Sequence, residues 1–141
     1  MKKYLVIILS AIAIGGGIAY HIFNIKVVKE DDTYSLVKAF QVGAFTNHDN
    51  ALRVALRNNG IVVDDNDIYR VYVAILEDDL AIEKLSNYYQ EIGLNYYLKE
   101  ISVSNEFYNT LESSEELLVK SSSDTYNAIN MSILSKYEEM L

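Results

Sequence analysis

Residues 40–104 follow the same plan twice, and this repeat limits the folds open to the chain more than any other feature of its sequence. Each copy has an alternating apolar segment, a polar step, an amphipathic segment and a glycine, followed by a further extended segment. The first copy ends at Gly60 and the second at Gly93. Two β-α-β halves in so short a stretch predict an α+β fold, the ferredoxin-like split β-α-β-β-α-β sandwich. Both helices would then cover one face of a four-stranded sheet and leave the other face open for binding.

Each half contains a helix whose limits and buried face are predicted from short-range signals. In the first half Thr46 is the expected N-cap, with Asp49 three residues later as its partner, and Gly60 is the expected left-handed stop. The residues expected to be buried on the two helices are Ala51, Leu52, Ala55 and Leu56, then Ala81, Leu85, Tyr88 and Ile92.

Residues 1–25 differ from the rest of the chain because they contain an uncharged, apolar run at 4–23. A run of about 20 apolar residues matches the hydrocarbon thickness of a bilayer. Since Lys2 and Lys3 precede it, the segment is predicted to be a transmembrane signal anchor, with a cleaved signal peptide as the alternative. Basic residues are nearly balanced on its two sides, so the positive-inside rule leaves its orientation open. A short polar tether at 26–33 follows.

A third kind of sequence follows the predicted domain at 34–104. Residues 105–141 have apolar positions at three- and four-residue spacing, and this pattern is interrupted by SSSD at 121–124. The spacing predicts a tail of two helices with a break between them. We expect this tail either to fold back on its own domain as a helical hairpin or to bind a partner.

Charge and composition exclude several classes of function. Four of the 12 basic residues and none of the 20 acidic residues precede residue 30, so the remaining chain carries a formal net charge of −12. Nucleic acid and anionic lipid are therefore not expected partners, because phosphate binding needs cationic contacts. The chain has no cysteine, and neither His21 nor His48 has a partner at metal-ligand spacing. We expect a protein that is not an enzyme and has no catalytic residues, bound metal or cofactor.

An acidic stretch, DDND at 64–67, looks like the start of a calcium loop. It lacks the glycine at position six and the glutamate at position twelve that an EF-hand needs. We interpret the stretch as a solvated turn between two strands.

The open face of the predicted sheet is the remaining candidate for binding. By the two-residue period of a strand, the side chains expected on that face are Gln41, Gly43, Arg70 and Tyr72. The last strand adds either Tyr97 and Lys99 or Tyr96 and Leu98, and the sequence does not decide between the pairs. A tyrosine ring can lie against a sugar ring while Gln and Arg bond to hydroxyl and acetamido groups. A solvated sheet face would tolerate the same residues.

Several of these segments resemble the SPOR domain, the sporulation-related repeat of bacterial cell-wall and division proteins. The resemblance lies in FQVGAF at 40–45, in Asn50-Ala51 followed by Ala55-Leu56, and in YRVYV at 69–73. Ala81 and Gly93 match the second helix and its stop, so the resemblance covers the whole of 34–104. The chain departs from the family where the central strand usually continues into Gly-Pro-Phe, because Ala74-Ile75-Leu76 stands here.

This resemblance implies a function and a location. SPOR domains bind peptidoglycan glycan strands that have lost their stem peptides, and they are usually attached by one N-terminal span to the outer face of the cytoplasmic membrane. Carried over by position, the glycan contacts would be Gln41 and Arg70, with Ala44 and Tyr69 at neighbouring family sites. We therefore expect a single-pass membrane protein, anchored through 4–23, that binds glycan at septal or sporulation sites. The resemblance also implies that the partners of the tail at 105–141, if it binds any, are division or sporulation proteins.

A different class of function remains as the alternative. The chain would then be an envelope protein-interaction module whose sheet face is covered by its helical tail or by a partner, with no sugar bound.

Overall fold

The computed structural model of the protein describes residues 34–141. The predicted transmembrane anchor and tether lie outside these residues. Within 34–141, none of the helices combines the length and the apolar character needed to cross a bilayer.

The described chain is an α+β structure, as the sequence predicts. Its strands are β1 (Tyr34–Phe45), β2 (Ile61–Asp65), β3 (Ile68–Leu76) and β4 (Tyr97–Ser104), and they form one antiparallel sheet in the order β2-β3-β1-β4. Helix α1 (His48–Arg57) connects β1 to β2, and α2 (Asp79–Glu91) connects β3 to β4. Two further helices follow the sheet, α3 (Asn105–Lys120) and α4 (Tyr126–Glu139), with a short 3-10 turn at Ser123–Thr125 between them.

The start of α1 differs from the sequence prediction by one residue. Asn47 is the N-cap instead of Thr46, and its side-chain oxygen accepts the backbone N–H of Asn50 at 3.0 Å. The prediction of Thr46 was wrong because Asn is as good an N-cap as Thr, so residue type alone does not decide between neighbouring positions.

The buried faces of the two helices are also narrower than predicted. On α1 only Ala51 and Ala55 are buried, and they pack on Val71, whereas Leu52 and Leu56 are exposed. Small alanine side chains let the helix approach the sheet closely, which leaves the neighbouring leucines outside the contact. On α2 the buried residues are Ala81, Leu85 and Tyr89, so Tyr89 takes the place predicted for Tyr88, and Ile92 is exposed.

The glycine after α1 is required by space and not by its backbone angle. Asn59 is the residue with positive φ, at 54°. A Cβ on Gly60 would lie 2.6 Å from the carbonyl oxygen of Tyr72, so only glycine fits against the backbone of β3. Gly93 has the left-handed φ of 72° expected of a helix stop.

The tail belongs to the same compact unit as the sheet, which runs from Ser35 to Leu141. Its buried residues join the main core, and the large apolar ones are Phe107, Leu111, Leu118, Ile129, Ile133 and Leu134. Of the two arrangements considered for the tail, packing on its own domain is the one observed.

The central strand shows the effect of this packing most clearly. Every residue of β3 from Val71 to Leu76 is buried. Because successive side chains of a strand point to opposite faces, both faces of β3 must be covered along this length. The sheet face predicted to be open is therefore partly occupied.

Candidate functional site

A tight hairpin between β2 and β3 positions the polar end of the sheet. Asn66 and Asp67 have positive φ values of 54° and 67°, which is the backbone of a two-residue type I′ turn. Asx side chains tolerate this conformation, and Asp64 Oδ1 accepts the backbone N–H of Asp67 at 3.2 Å. The prediction of a turn at 64–67 is therefore confirmed. This turn also brings Asp65 beside the start of β3.

Four polar side chains meet next to this hairpin, and we call them the Arg70 cluster: Gln41, Asp65, Arg70 and Lys99. Arg70 Nε donates to Asp65 Oδ2 at 2.6 Å, and Arg70 Nη1 donates to Gln41 Oε1 at 3.4 Å. Lys99 Nζ donates to the same Asp65 oxygen at 3.4 Å. The two residues carried over from the SPOR resemblance, Gln41 and Arg70, are therefore in contact with each other.

The electrostatics of the cluster are dominated by the pairing of Arg70 with Asp65. The hydrogen bond from Arg70 holds the pKa of the Asp65 carboxyl below its usual value, and it outweighs the opposing effect of desolvation. The hydrogen bond from Lys99 lowers the same pKa by a smaller amount. The Arg70 side chain is 21 % exposed and that of Asp65 is 39 % exposed. Two cations and one anion at a partly open surface leave a small local positive charge in a domain that is otherwise acidic.

The strand register decides which other predicted residues share this face. Directly paired residues of antiparallel strands point to the same side. Gln41 pairs with Tyr72 and Ala44 pairs with Arg70, so these four residues lie on one face. Register shifts occur on both sides of Gln41. As a result Gly43 pairs with Val71 on the opposite face, although a regular two-residue period had grouped it with Gln41.

Tyr69 also lies away from the Arg70 cluster. It precedes Arg70 directly and pairs with Phe45. Its ring meets the His48 ring at the start of α1, with the ring centroids 5.2 Å apart. The structure therefore places Tyr69 on the sheet face that α1 covers, away from Gln41 and Arg70.

The sequence left open which residues of the last strand share a face with Arg70, and the contacts of Tyr96 and Lys99 decide this. Tyr96 packs against Phe40, with ring centroids 4.9 Å apart, and against Tyr89 of α2, at 5.8 Å. Lys99 joins the Arg70 cluster, so Tyr97, two residues before it, has the same orientation along the strand. Tyr97 is 66 % exposed and its ring is accessible at this edge of the sheet.

Tyr72 lies on the Arg70 face but is closed off from solvent. Only 3 % of it is exposed, and α4 packs against β3, the strand that carries it. Burial raises the pKa of Tyr72 to about 12, and the nearby hydroxyl of Tyr137 on α4 adds to the shift. The tail therefore covers the part of the predicted binding face that lies next to Gln41 and Arg70.

The tail as a whole is too firmly packed to act as a loosely attached cover. Burial of a large apolar side chain stabilises a fold by about 1.5–3 kcal/mol, so the six such residues of the tail contribute about 10 kcal/mol or more. These side chains join the main core, so the tail is an integral part of the folded domain.

A separate cleft of about 540 Å³ lies between the start of α2 and α3. Its lining includes the acidic residues Glu77, Asp78, Glu112, Glu115 and Glu116, together with Lys120. In the described part of the chain no three His, Asp or Glu side chains are grouped so that they could hold a metal ion.

The sequence did not identify Asp65 and Lys99 as members of the site. Asp65 was interpreted as part of a solvated turn. Lys99 belonged to one of the two pairs of residues that the last strand could turn toward the open face, and the sequence did not decide between these pairs. The signal that could have found Asp65 is the Asn-Asp pair at 66–67, because a two-residue hairpin turn sets Asp65 opposite Ile68 and near Arg70.

No protein-family model matches the chain, and neither a curated protein nor a solved structure similar to it was found.

Proposed function

We propose that this protein is a membrane-anchored, SPOR-like protein that binds peptidoglycan glycan strands without stem peptides at septal or sporulation sites. The strand order β2-β3-β1-β4, with one helix after β1 and one after β3, supports a ferredoxin-like split β-α-β-β-α-β sandwich. In this proposal residues 4–23 anchor the chain as a single span, and the described domain faces the envelope side of the cytoplasmic membrane.

The observation that carries the proposal is the contact between Arg70 and Gln41. The SPOR resemblance assigned a role to these two positions from separate strands, 29 residues apart, and they meet at 3.4 Å in a partly exposed cluster. A guanidinium and a carboxamide side by side supply several donors and acceptors in a fixed arrangement. Such a pair suits hydroxyl and acetamido groups of a neutral polymer.

Two further features of the cluster support a neutral ligand over an anionic one. Asp65 already pairs with Arg70 and Lys99, so one of the two positive charges is balanced within the protein. The exposed ring of Tyr97 at the same edge of the sheet adds a surface on which a sugar ring can lie.

Co-sedimentation with peptidoglycan sacculi tests this function. The full chain, purified in detergent, is mixed with intact sacculi and with sacculi whose stem peptides have been removed by an amidase. We expect the pelleted fraction to rise on removal of the stem peptides. Equal pelleting with both preparations would contradict specificity for bare glycan, and no pelleting with either would contradict glycan binding.

A protein-interaction module is the second candidate, and one observation favours it. Tyr72, one of the residues predicted for the glycan face, is buried, and the tail that packs against its strand presents Leu117 with 55 % exposure. In that case the sacculi would not bind, and Leu117→Glu would disrupt a complex recovered by cross-linking in intact cells, while leaving the fold unchanged.

A further inference from the structure

Arg70 and Lys99 share one acceptor atom in the Arg70 cluster. Arg70 Nε lies 2.6 Å from Asp65 Oδ2, and Lys99 Nζ lies 3.4 Å from the same oxygen. One carboxylate balances only one of the two positive charges, so the cluster keeps one positive charge in excess. Because the contact with Arg70 is the shorter one, Asp65 compensates the guanidinium more fully than the ammonium. The excess charge therefore lies mainly on Lys99.

Lys99 also has hydrogen-bond donors that its own domain does not use. An ammonium group carries three N–H donors, and within residues 34–141 only the bond to Asp65 uses one of them. The Lys99 side chain is 27 % exposed, which leaves room for a ligand at the surface. Lys84 shows the opposite arrangement, because it donates to the backbone carbonyls of Val119 and Ser121. Lys84 is thus a structural lysine, whereas Lys99 is available to a ligand.

The acidic neighbours of the cluster do not cancel its excess charge. Asp64 pairs with Tyr69, so it points to the sheet face that α1 covers. Glu100 follows Lys99 directly and points away from it, and its carboxylate accepts a hydrogen bond from Lys38 at 2.9 Å. The Arg70 cluster is therefore a small cationic site on a domain that is otherwise acidic.

The proposed ligand gains a negative charge in the step that removes its stem peptides. In peptidoglycan each stem peptide is joined by an amide bond to a carboxyl group on every second sugar. When an amidase hydrolyses this bond, the C–N bond breaks and water is added, so a carboxylate stays on the sugar and the new amine leaves with the peptide. The hydroxyl and acetamido groups of the strand remain neutral. Bare glycan is thus a largely neutral polymer with isolated carboxylates, and one excess positive charge matches one of them.

From these observations we propose that Lys99 is a specificity-determining residue of the site, and that its ammonium binds the carboxylate left on a sugar when the stem peptide is removed. The inference rests on the proposed glycan-binding function, and it names the chemical group by which the site distinguishes bare strands from intact ones. Gln41 and Arg70 bind the hydroxyl and acetamido groups, while Asp65 holds both cations in position. An intact strand presents a neutral amide to Lys99, so the charge-assisted bond is lost.

The test compares three preparations made from one batch of sacculi. The first is intact, and the second is stripped by an amidase. The third is stripped and then treated with a carbodiimide and ammonia, which converts its carboxylates into neutral amides. This third preparation lacks both the stem peptides and the charge, so it separates the two effects of stripping. Apparent affinity is measured by pelleting of the full chain, purified in detergent, over a range of protein concentrations.

Three variants of the full chain accompany the unaltered protein. Lys99→Gln removes the ammonium, and Lys99→Arg keeps a positive charge at the same position. Lys120→Gln is the matched control, because Lys120 is a 75 % exposed lysine of α3 that pairs with Glu116 outside the Arg70 cluster. Urea unfolding of each variant shows whether its fold is retained.

We expect the unaltered chain, Lys120→Gln and Lys99→Arg to bind amidated sacculi about three- to tenfold more weakly than stripped sacculi, the range of one partly exposed charge-assisted bond. Lys99→Gln should bind stripped sacculi more weakly than the unaltered chain by the same factor. It should also bind the amidated and the stripped preparations equally, since it has no charge to lose.

The possible failures separate the role of Lys99 from the function. Equal binding of the unaltered chain to stripped and amidated sacculi would overturn recognition of the carboxylate and leave glycan binding intact. If Lys99→Gln loses affinity on amidation as the unaltered chain does, another residue binds the carboxylate and the role of Lys99 is overturned. Absence of pelleting with all three preparations would overturn the proposed function, and with it this inference.

Discussion

The carboxylate of Glu115 on α3 accepts the backbone N–H of Asp78, the residue that caps α2, at 3.0 Å. The same oxygen also accepts the backbone N–H of Glu77. Glu115 is 3 % exposed, so a buried acidic side chain of the tail satisfies two backbone donors at the entry to α2. This contact fixes the tail against the second half of the repeated region.

The buried position of Glu115 predicts a specific pH dependence. Burial raises the pKa of Glu115 above its ordinary value of 4.5, and the two backbone hydrogen bonds only partly oppose this. Between the unfolded and folded pKa values the folded state binds more protons, so the contribution of Glu115 to the free energy of unfolding falls as the pH rises through that interval. The effect is complete once the pH exceeds the folded pKa.

Glu115→Gln isolates this contribution, because glutamine keeps an acceptor oxygen but does not titrate. Urea unfolding of both chains at a series of pH values gives the difference in the free energy of unfolding, wild type minus variant. We expect this difference to decrease as the pH rises above 4.5 and then to level off. A difference that increases with pH would mean that the hydrogen bonds outweigh burial.

The two glycines that end the first and second helical segments should respond differently to substitution. Gly60→Ala places a Cβ against the carbonyl oxygen of Tyr72 and should lower the free energy of unfolding by about 2–3 kcal/mol. Gly93→Ala meets no atom within 4 Å and suffers only from its left-handed φ, so about 1 kcal/mol is expected. Gly93→Asn should lose less stability than Gly93→Ala, since asparagine tolerates this φ. Gly60→Asn should be no more stable than Gly60→Ala, because its Cβ meets the same carbonyl oxygen. Equal losses for the two alanine variants in denaturant unfolding would refute the close approach at Gly60.

Neighbouring leucines of α3 test whether the tail is part of the core. Leu118 is fully buried, whereas Leu117 is 55 % exposed. Leu118→Ala should cost about 2–5 kcal/mol of unfolding free energy in a single cooperative transition, and Leu117→Ala less than about 0.5 kcal/mol. The unfolding of both variants in urea would be followed by far-UV and near-UV circular dichroism. Separate transitions for the tail and the sheet would contradict one shared core.

Regular periodicity predicted the elements of this fold but not the details of its faces. The alternating and helical patterns located four strands, four helices and the break at 121–124 because these signals are local. The faces were less predictable at Gly43, since the register shifts beside Gln41 depend on how β1 pairs with β3. No single strand carries that information.

The position of the tail could not be predicted from the sequence for a different physical reason. An amphipathic helix must bury its apolar stripe, but the stripe does not say whether its own domain or another protein covers it. The apolar positions Ile129 and Ile133 are therefore compatible with a tail folded on its own domain and with a tail that binds a partner. Only the observed packing of α4 on β3 decides between these two alternatives. The burial of Tyr72, and with it the reduced size of the open face, follows from that packing.

Pelleting of Arg70→Ala with stripped sacculi, compared with Arg57→Ala, tests the central claim most directly. Both variants remove one arginine, but Arg57 is an exposed residue of α1 outside the Arg70 cluster. The Arg70–Asp65 pair is partly exposed, so either substitution should change the free energy of unfolding by no more than about 1 kcal/mol. The account predicts that Arg70→Ala abolishes pelleting while Arg57→Ala pellets like the unaltered chain. Pelleting that is the same for both variants would contradict the assignment of glycan binding to the Arg70 cluster.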